Sequence, residues 1–440
     1  MVERLLVLGG DPAGVAAATT VRRLRGDVEI VVAESGNHTD WAGEGVPQLV
    51  GGLVDGLERL SGLRPSDLRD RLRIDIRCGH SASGIDLLNR EVEIDDDEHE
   101  RTYRLRFDRL LLAGWGRTPV PATLADAPVI DPSRPEDALA LTMGLAGGAR
   151  HAVVVGAGLP GLELAEALAQ RGVRVTIVDP AAHLLDDFDA DLVKPVSRAL
   201  EQQGIGVQVS AEIRGWEEGR VATDRGLLPE GLVVAGAYPM PANQVAGDAG
   251  VVLGPTGGAV VDARFRTSAE GVWAVGRAAE VRHRLSSAPL VAGAGLVAGH
   301  GQAAGTEIAG GYQRVPWPLD LQAGRVGGYD VARVGLTAGQ AEGAGYEVRT
   351  STVAGSARAA WYPGARPLQV RLVAERGSGL ILGVQAVGVE GAVRAAETVT
   401  LAIDQQVDVG SLARLETPGD PALGARPDPL RAAAIELATT

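Results

Sequence analysis

Two glycine-rich turns, each following an apolar run and opening a helix, are the parts of this chain best suited to chemistry. Gly9-Gly10-Asp11-Pro12-Ala13-Gly14 follows the run from Arg4 to Leu8, and Gly156-Ala157-Gly158-Leu159-Pro160-Gly161 follows the run from Ala152 to Val155. In such a turn the first glycine permits the tight bend and the second lets the backbone approach a pyrophosphate. The third lets the helix pack closely on its strand, and the N–H groups at the helix start face the anion. Each unit then closes on an acid, Glu34 after Val28 to Ala33 and Asp179 after Val173 to Val178. An acid in that place accepts from the two hydroxyls of an adenosine ribose. One such motif alone says little, but two in strand–turn–helix context predict two dinucleotide folds in one chain.

The second motif is complete in Gly156, Gly158, Gly161 and Asp179. A carboxylate at position 179 would repel a 2′-phosphate, which favours NAD(H) over NADP(H). The first motif keeps Gly9, Gly10, Gly14 and Glu34, but Asp11 lies near the pyrophosphate path, where an anion costs energy unless it is neutralised.

The bulk properties frame these motifs. A chain of 440 residues is too long for one core and predicts about three domains. The net charge is −14 and the arginines are scattered among acids, which argues against a nucleic-acid partner. A single cysteine, Cys78, excludes a disulfide framework or a thiolate metal site within the chain, and no other metal-ligand spacing is seen. It sits after a strand-like stretch and is expected to be structural. The start of the chain has no signal-peptide pattern, and the small-residue stretch from Pro289 to Ala298 is too short to span a bilayer. A cytoplasmic location without membrane attachment is therefore expected.

The elements that must position the motifs follow from the apolar patterning. The segment from Ile74 to Leu112 reads as a meander of strands returning to the first sheet, and Gly231 to Ala237 as another buried strand. Gly271 to Gly276 reads as a strand leading into a helix-rich stretch up to Gly310. Strands at Val331–Gly335, Gln369–Ala374 and Gly379–Val387 and a helix at Ala392–Asp404 predict a separate C-terminal α+β domain from about residue 315.

The two glycine motifs, the turn Tyr362-Pro363-Gly364-Ala365, and the runs Gly379 to Gln385 and Val387 to Gly391 resemble a known family. It is the flavin- and nicotinamide-dependent disulfide reductases, in the branch of coenzyme A-disulfide reductase, NADH oxidase and NADH peroxidase. The resemblance covers nearly the whole chain and implies an α/β fold with two Rossmann-like dinucleotide-binding domains, FAD-type and NAD-type, and a C-terminal α+β dimerisation domain. It implies a discontinuous FAD-type domain at 1–115 and 245–314, an NAD(H)-type domain at 116–244 and a dimerisation domain at 315–440 that forms a homodimer. In the family, NAD(P)H reduces the flavin, which passes electrons to a cysteine.

This sequence departs from that pattern at the flavin side. The family's cysteine motif lines up on Ala42-Gly43-Glu44-Gly45-Val46-Pro47, so Glu44 stands in the cysteine's place. A carboxylate forms no mixed disulfide or sulfenic acid, so thiol chemistry cannot start there. Glu44 is either a general acid/base with a pKa raised by burial or a solvated acid. The family's Ala-Thr-Gly turn near the flavin is Ala113-Gly114-Trp115, which puts an indole where a glycine leaves space. Its Gly-Asp pair is Gly276-Arg277, with the sign of the charge reversed. The polar pair on the following helix is Leu296 and Val297, and the tyrosine that reaches the partner's active site falls on Gly419. Asp11, Trp115 and Arg277 are thus candidate slot-filling residues. Asp11 and Arg277 could form a salt bridge there, or Arg277 could turn outward or hold the FAD phosphates. His38 and His283 stand alone and are read as structural or solvated.

Three functions are compatible with these residues. The chain is a family member that keeps NAD(H) but has lost the thiol and the flavin, serving as a repurposed enzyme or a partner subunit. Alternatively it is a flavoprotein that oxidises NADH and passes electrons to a small molecule or protein without a cysteine. In the third, it is a non-catalytic scaffold dimer.

Overall fold

The strand Arg4–Leu8 is apolar on both faces and lies at the centre of a five-stranded, all-parallel sheet. Glu29–Glu34 and then Asp75–Cys78 flank it on one side, and Arg109–Leu112 and then Val272–Ala274 on the other. Such near-continuous apolar strands belong in a sheet covered on both faces. A second parallel sheet runs in the order 206–208, 174–178, 151–155, 232–235, 129–130. These two sheets are the two nucleotide units. The computed structural model describes residues 2–114, 116–417 and 420–439, so the expectations for Trp115 and Gly419 lie outside the described residues.

In each unit the glycine turn sits at the carboxyl end of the central strand. The helix Pro12–Leu24 follows the first turn and Leu159–Gln170 the second, both with proline in the first turn, where its missing N–H is no loss. The first of these helices packs along the helix Ala294–Ile308. A Cβ at Gly301 would lie 2.2 Å from the Ala13 carbonyl oxygen, so the glycine is what lets the two backbones touch.

The region from Ile74 to Leu112 is not one meander. Its ends, Asp75–Cys78 and Arg109–Leu112, join the first sheet, while 80–86, 91–96 and 101–106 form their own antiparallel three-stranded sheet. The central strand Glu91–Asp96 has Val92, Ile94 and Asp96 buried on one face, which alternation alone does not assign to one sheet or the other. The stretch after Gly276 also differs from the helix-rich expectation. Two short strands, Ala279–Arg282 and Pro289–Val291, precede the helix at Ala294.

The C-terminal strands form an antiparallel sheet in the order 322–326, 329–335, 381–388, 367–375, 348–356. Ile381–Gly388 is buried along its whole length, and the helices Ala392–Asp404 and Pro429–Thr439 pack on the sheet. Polar contacts tie this sheet to the second nucleotide unit. Arg371 reaches Asp189 at 2.7 Å and Asp191 at 2.6 Å, and Gln385 exchanges two hydrogen bonds with Asp189. Arg333, buried in the sheet, pairs with Asp320 and lies 4.0 Å from Asp187.

The core of the second unit crosses the expected boundaries on both sides, since it also takes in Val326, Val331 and Val387 of the C-terminal sheet. Trp41, Val46, Val50 and Leu60 belong to the apolar cluster of the second unit, against Leu164, Ala167 and Leu168, although they lie in the first 115 residues. The short helix Val46–Val50 rests on Leu159–Gln170. The loop that carries Glu44 therefore bridges the two nucleotide units.

Candidate functional site

The two glycine motifs have the same backbone and different ends. Gly156 adopts φ +119° and Gly9 φ +112°, conformations open to glycine and strained for other residues. A Cβ at Gly161 would lie 2.2 Å from the Gly156 carbonyl oxygen and 2.7 Å from that of Gly236, so the helix sits directly on the turn. The terminal acids are held alike. Asp179 accepts from the amides of Ala157 at 2.6 Å and Ala181 at 2.7 Å. Glu34 accepts from Gly10 at 2.6 Å and Gly36 at 2.8 Å, and its burial pushes its pKa up.

The difference lies at the helix starts. Gly158 caps the second helix without a side chain, and a Cβ built there meets only the Pro160 ring, at 3.9 Å. Asp11 caps the first helix, and its Oδ1 accepts from the Gly14 amide at 2.7 Å. This is the ordinary aspartate N-cap, worth about 1 kcal/mol. The other oxygen, Oδ2, is buried with no hydrogen-bond partner. Burial raises the Asp11 pKa well above the usual carboxylate range.

Arg277 stands in the turn Gly276–Ala278, just after the strand Val272–Ala274, and is 6% exposed. The expected ion pair with Asp11 is not among those of the described residues. Arg277 instead donates to the Pro239 carbonyl at 3.4 Å and lies 5.5 Å from the centre of the Tyr238 ring. Nor does it turn outward. Burial lowers its pKa, while Tyr238, Glu44 and Asp11 act in the opposite direction.

Arg277 and Tyr238 form part of the wall of a cleft of about 630 Å³ between the nucleotide units and the C-terminal sheet. Glu44, Glu163 and Asp320 also reach it, and much of the remaining wall is apolar. Glu44 borders a second cavity as well, of about 350 Å³, together with Asp40, Arg59 and Val297. The Glu44 side chain is exposed. Leu296 is exposed and Val297 buried. Cys78 ends its strand half-buried, and burial followed by the Glu34 charge pushes its thiol up to about 11, away from the reactive thiolate. Among the described residues no cluster of three or more acid, histidine or cysteine side chains could hold a metal ion, and no helix is long and apolar enough to cross a membrane.

The motif reading missed Glu163 and Tyr238. Glu163 lies on the helix of the second motif, facing the cleft between the buried Leu162 and Leu164, and a carboxyl inside that apolar stretch was the available signal. Burial and the neighbouring Glu166 raise its pKa to about 7, although it accepts from the Arg325 amide at 3.3 Å. Burial and the Glu163 charge push the Tyr238 phenol to about 12. Because the folded pKa of Glu163 exceeds its usual 4.5, its contribution to folding is complete at low pH and lost as pH rises through about 7. Glu163→Gln is therefore expected to flatten the fall in Tm between about pH 5 and about pH 8, as read by calorimetry across that range.

Known proteins share this organisation. Residues 3–295 match the family model described as pyridine nucleotide-disulphide oxidoreductase, and residues 325–423 match its dimerisation domain. The chain is 29% identical over 399 residues to an NAD(P)H sulfur oxidoreductase (CoA-dependent) of Pyrococcus furiosus, covering 88% of each. It is 27% identical over 442 residues to an NADH oxidase of Methanocaldococcus jannaschii, covering 98% of each. It superposes on an NAD-dependent persulfide reductase from A. fulgidus with TM-score 0.94 and 27% identity, covering 99% of this chain and 83% of that one. With matches spanning both nucleotide units and the C-terminal sheet, the chain belongs to the pyridine nucleotide-disulphide oxidoreductase family.

Proposed function

We propose that this chain binds NAD(H) at its second glycine motif, uses no thiol, and has its flavin-type site filled by its own side chains. The observation that carries this reading is the contrast between the two helix starts. At Gly158 no side chain caps the helix, with Asp179 beside the turn to accept from a ribose, whereas at Asp11 a carboxylate already accepts from the Gly14 amide. The residues of the second motif fit NAD(H), and the acid at Asp179 sets it against a 2′-phosphate. Those of the first fit the FAD pyrophosphate poorly, so no step is routed through a flavin.

NADH held at the second motif supplies a hydride. Asp179 would accept from the adenosine ribose, and the N–H groups at the start of Leu159–Gln170 would hold the pyrophosphate. Sulfur chemistry of the kind named for the Pyrococcus relative requires a thiol that Glu44 cannot replace. We further propose a homodimer formed through the C-terminal sheet, supported by the dimerisation-domain match, and a cytoplasmic setting, supported by the single cysteine.

A flavin-containing NADH oxidase without a cysteine is the second reading, favoured by the size of the cleft. A visible spectrum of the purified protein followed by an NADH titration separates the two. The expected result is no flavin band and one NADH bound per chain. A stoichiometric flavin band establishes the second reading, and failure to bind NADH removes both.

A further inference from the structure

Leu159, Pro239, Met240, Leu290, Val291 and Leu321 give the 630 Å³ cleft apolar walls. Met240 and Leu321 are exposed, so apolar surface stands open inside a concave site. The charged groups on the same lining are already engaged or set apart. Arg277 donates to the Pro239 carbonyl, lies against the Tyr238 ring and feels the charges of Glu44 and Asp11. Asp320 pairs with Arg333, Glu163 accepts from the Arg325 amide, and Glu44 lies where the cleft adjoins the second cavity. A charged ligand would give up its water here without gaining an uncommitted partner.

One neutral donor on the lining is uncommitted. The Tyr238 hydroxyl makes no hydrogen bond among the described residues. Burial first, then the charges of Glu163, Asp187 and Asp320, push its pKa to about 12, so the phenol stays protonated and able to donate. Those charges come from the helix Leu159–Gln170 on one side and from the neighbourhood of Asp320 on the other, which sets the hydroxyl between two walls of the cleft. A neutral donor in an apolar wall orients a ligand through one acceptor atom and favours a body without charge. We infer that the cleft binds an uncharged, ring-sized apolar carbonyl compound, its oxygen accepting from the Tyr238 hydroxyl and its ring against Met240, Val291 and Leu321. This deepens the reading above by naming a ligand class for the cleft, and it rests on that reading in that no flavin fills the space.

Acetophenone, benzoate and benzylamine carry the same ring and are uncharged, anionic and cationic in turn, and each is titrated calorimetrically into the purified protein. Acetophenone is expected to bind about tenfold or more tighter than either charged probe. Tyr238→Phe keeps the ring beside Arg277 and is expected to weaken acetophenone about three- to tenfold, the usual worth of one hydrogen bond. Leu321→Asp, at an exposed position, is expected to weaken it about tenfold by setting a charge in the apolar wall. An unchanged thermal midpoint shows that each variant has folded. The proposal is overturned if acetophenone does not bind, if either charged probe matches it, or if Tyr238→Phe and the parent bind it equally. In a flavin-free protein that binds NADH, any of these results leaves the functional reading standing. A flavin band in the parent overturns that reading itself and is seen before any probe is added.

Discussion

Gly161→Ala is expected to abolish NADH binding and to lower stability by about 1–3 kcal/mol, the usual range for overpacking a well-filled site. The added methyl would meet two backbone carbonyl oxygens, Gly156 at 2.2 Å and Gly236 at 2.7 Å. Neither belongs to a side chain that could rotate away, so the helix Leu159–Gln170 must lift from its strand. Its first N–H groups then move off the pyrophosphate position while Asp179 stays with the turn, and the two halves of the site lose their register. Equilibrium dialysis with NADH and a denaturant midpoint measure both effects. A Gly161→Ala protein that binds NADH as tightly as the parent would show that the second motif is not the nucleotide site.

Arg333→Met carries the other large effect. The guanidinium is 2% exposed on a central strand of the C-terminal sheet and pairs with Asp320 on the cleft wall, with Asp187 of the second nucleotide unit at 4.0 Å. Breaking a fully buried pair costs about 3–5 kcal/mol because one charge is left without its partner. Here Asp320 is about one-quarter exposed and can take up water, so a loss of about 2 kcal/mol is expected. The double variant Arg333→Met with Asp320→Leu removes both charges and should recover much of the loss. Thermal unfolding of the two variants decides the matter. Equal destabilisation by both would mean that packing, not the ion pair, is what Arg333 supplies.

The parts of the site that were legible in the sequence are those whose geometry is local. A tight turn into a helix needs particular residues at fixed offsets, so Gly156, Gly158, Gly161 and Asp179 stand out without any tertiary information. The helix Ala392–Asp404 was legible for a similar reason, its apolar residues recurring at helical spacing. Glu163 and Tyr238 were not, because their meeting with Arg277 comes from three segments far apart in the chain folding onto one cleft. The resemblance pointed to Arg277 by the reversal of charge, but its partners, Tyr238 and the Pro239 carbonyl, follow only from where residues 237–240 run. The strands Ala279–Arg282 and Pro289–Val291 were hidden by length, since three or four residues show no reliable alternation.

The loop between Trp41 and Leu60 limits how far this protein can be treated as modular. Trp41 is 3% exposed and Val50 fully buried, and both fill the core of a unit whose other strands begin almost 90 residues later, at Val129. An excised second unit would present bare apolar surface where that loop belongs, and the first unit without its neighbour would have an indole and several aliphatic side chains with nothing to cover them. Autonomy has been exchanged for rigidity. The segment that carries Glu44 cannot drift without opening the core of the second unit, so that wall of the cleft is only as stable as the unit it helps to fill.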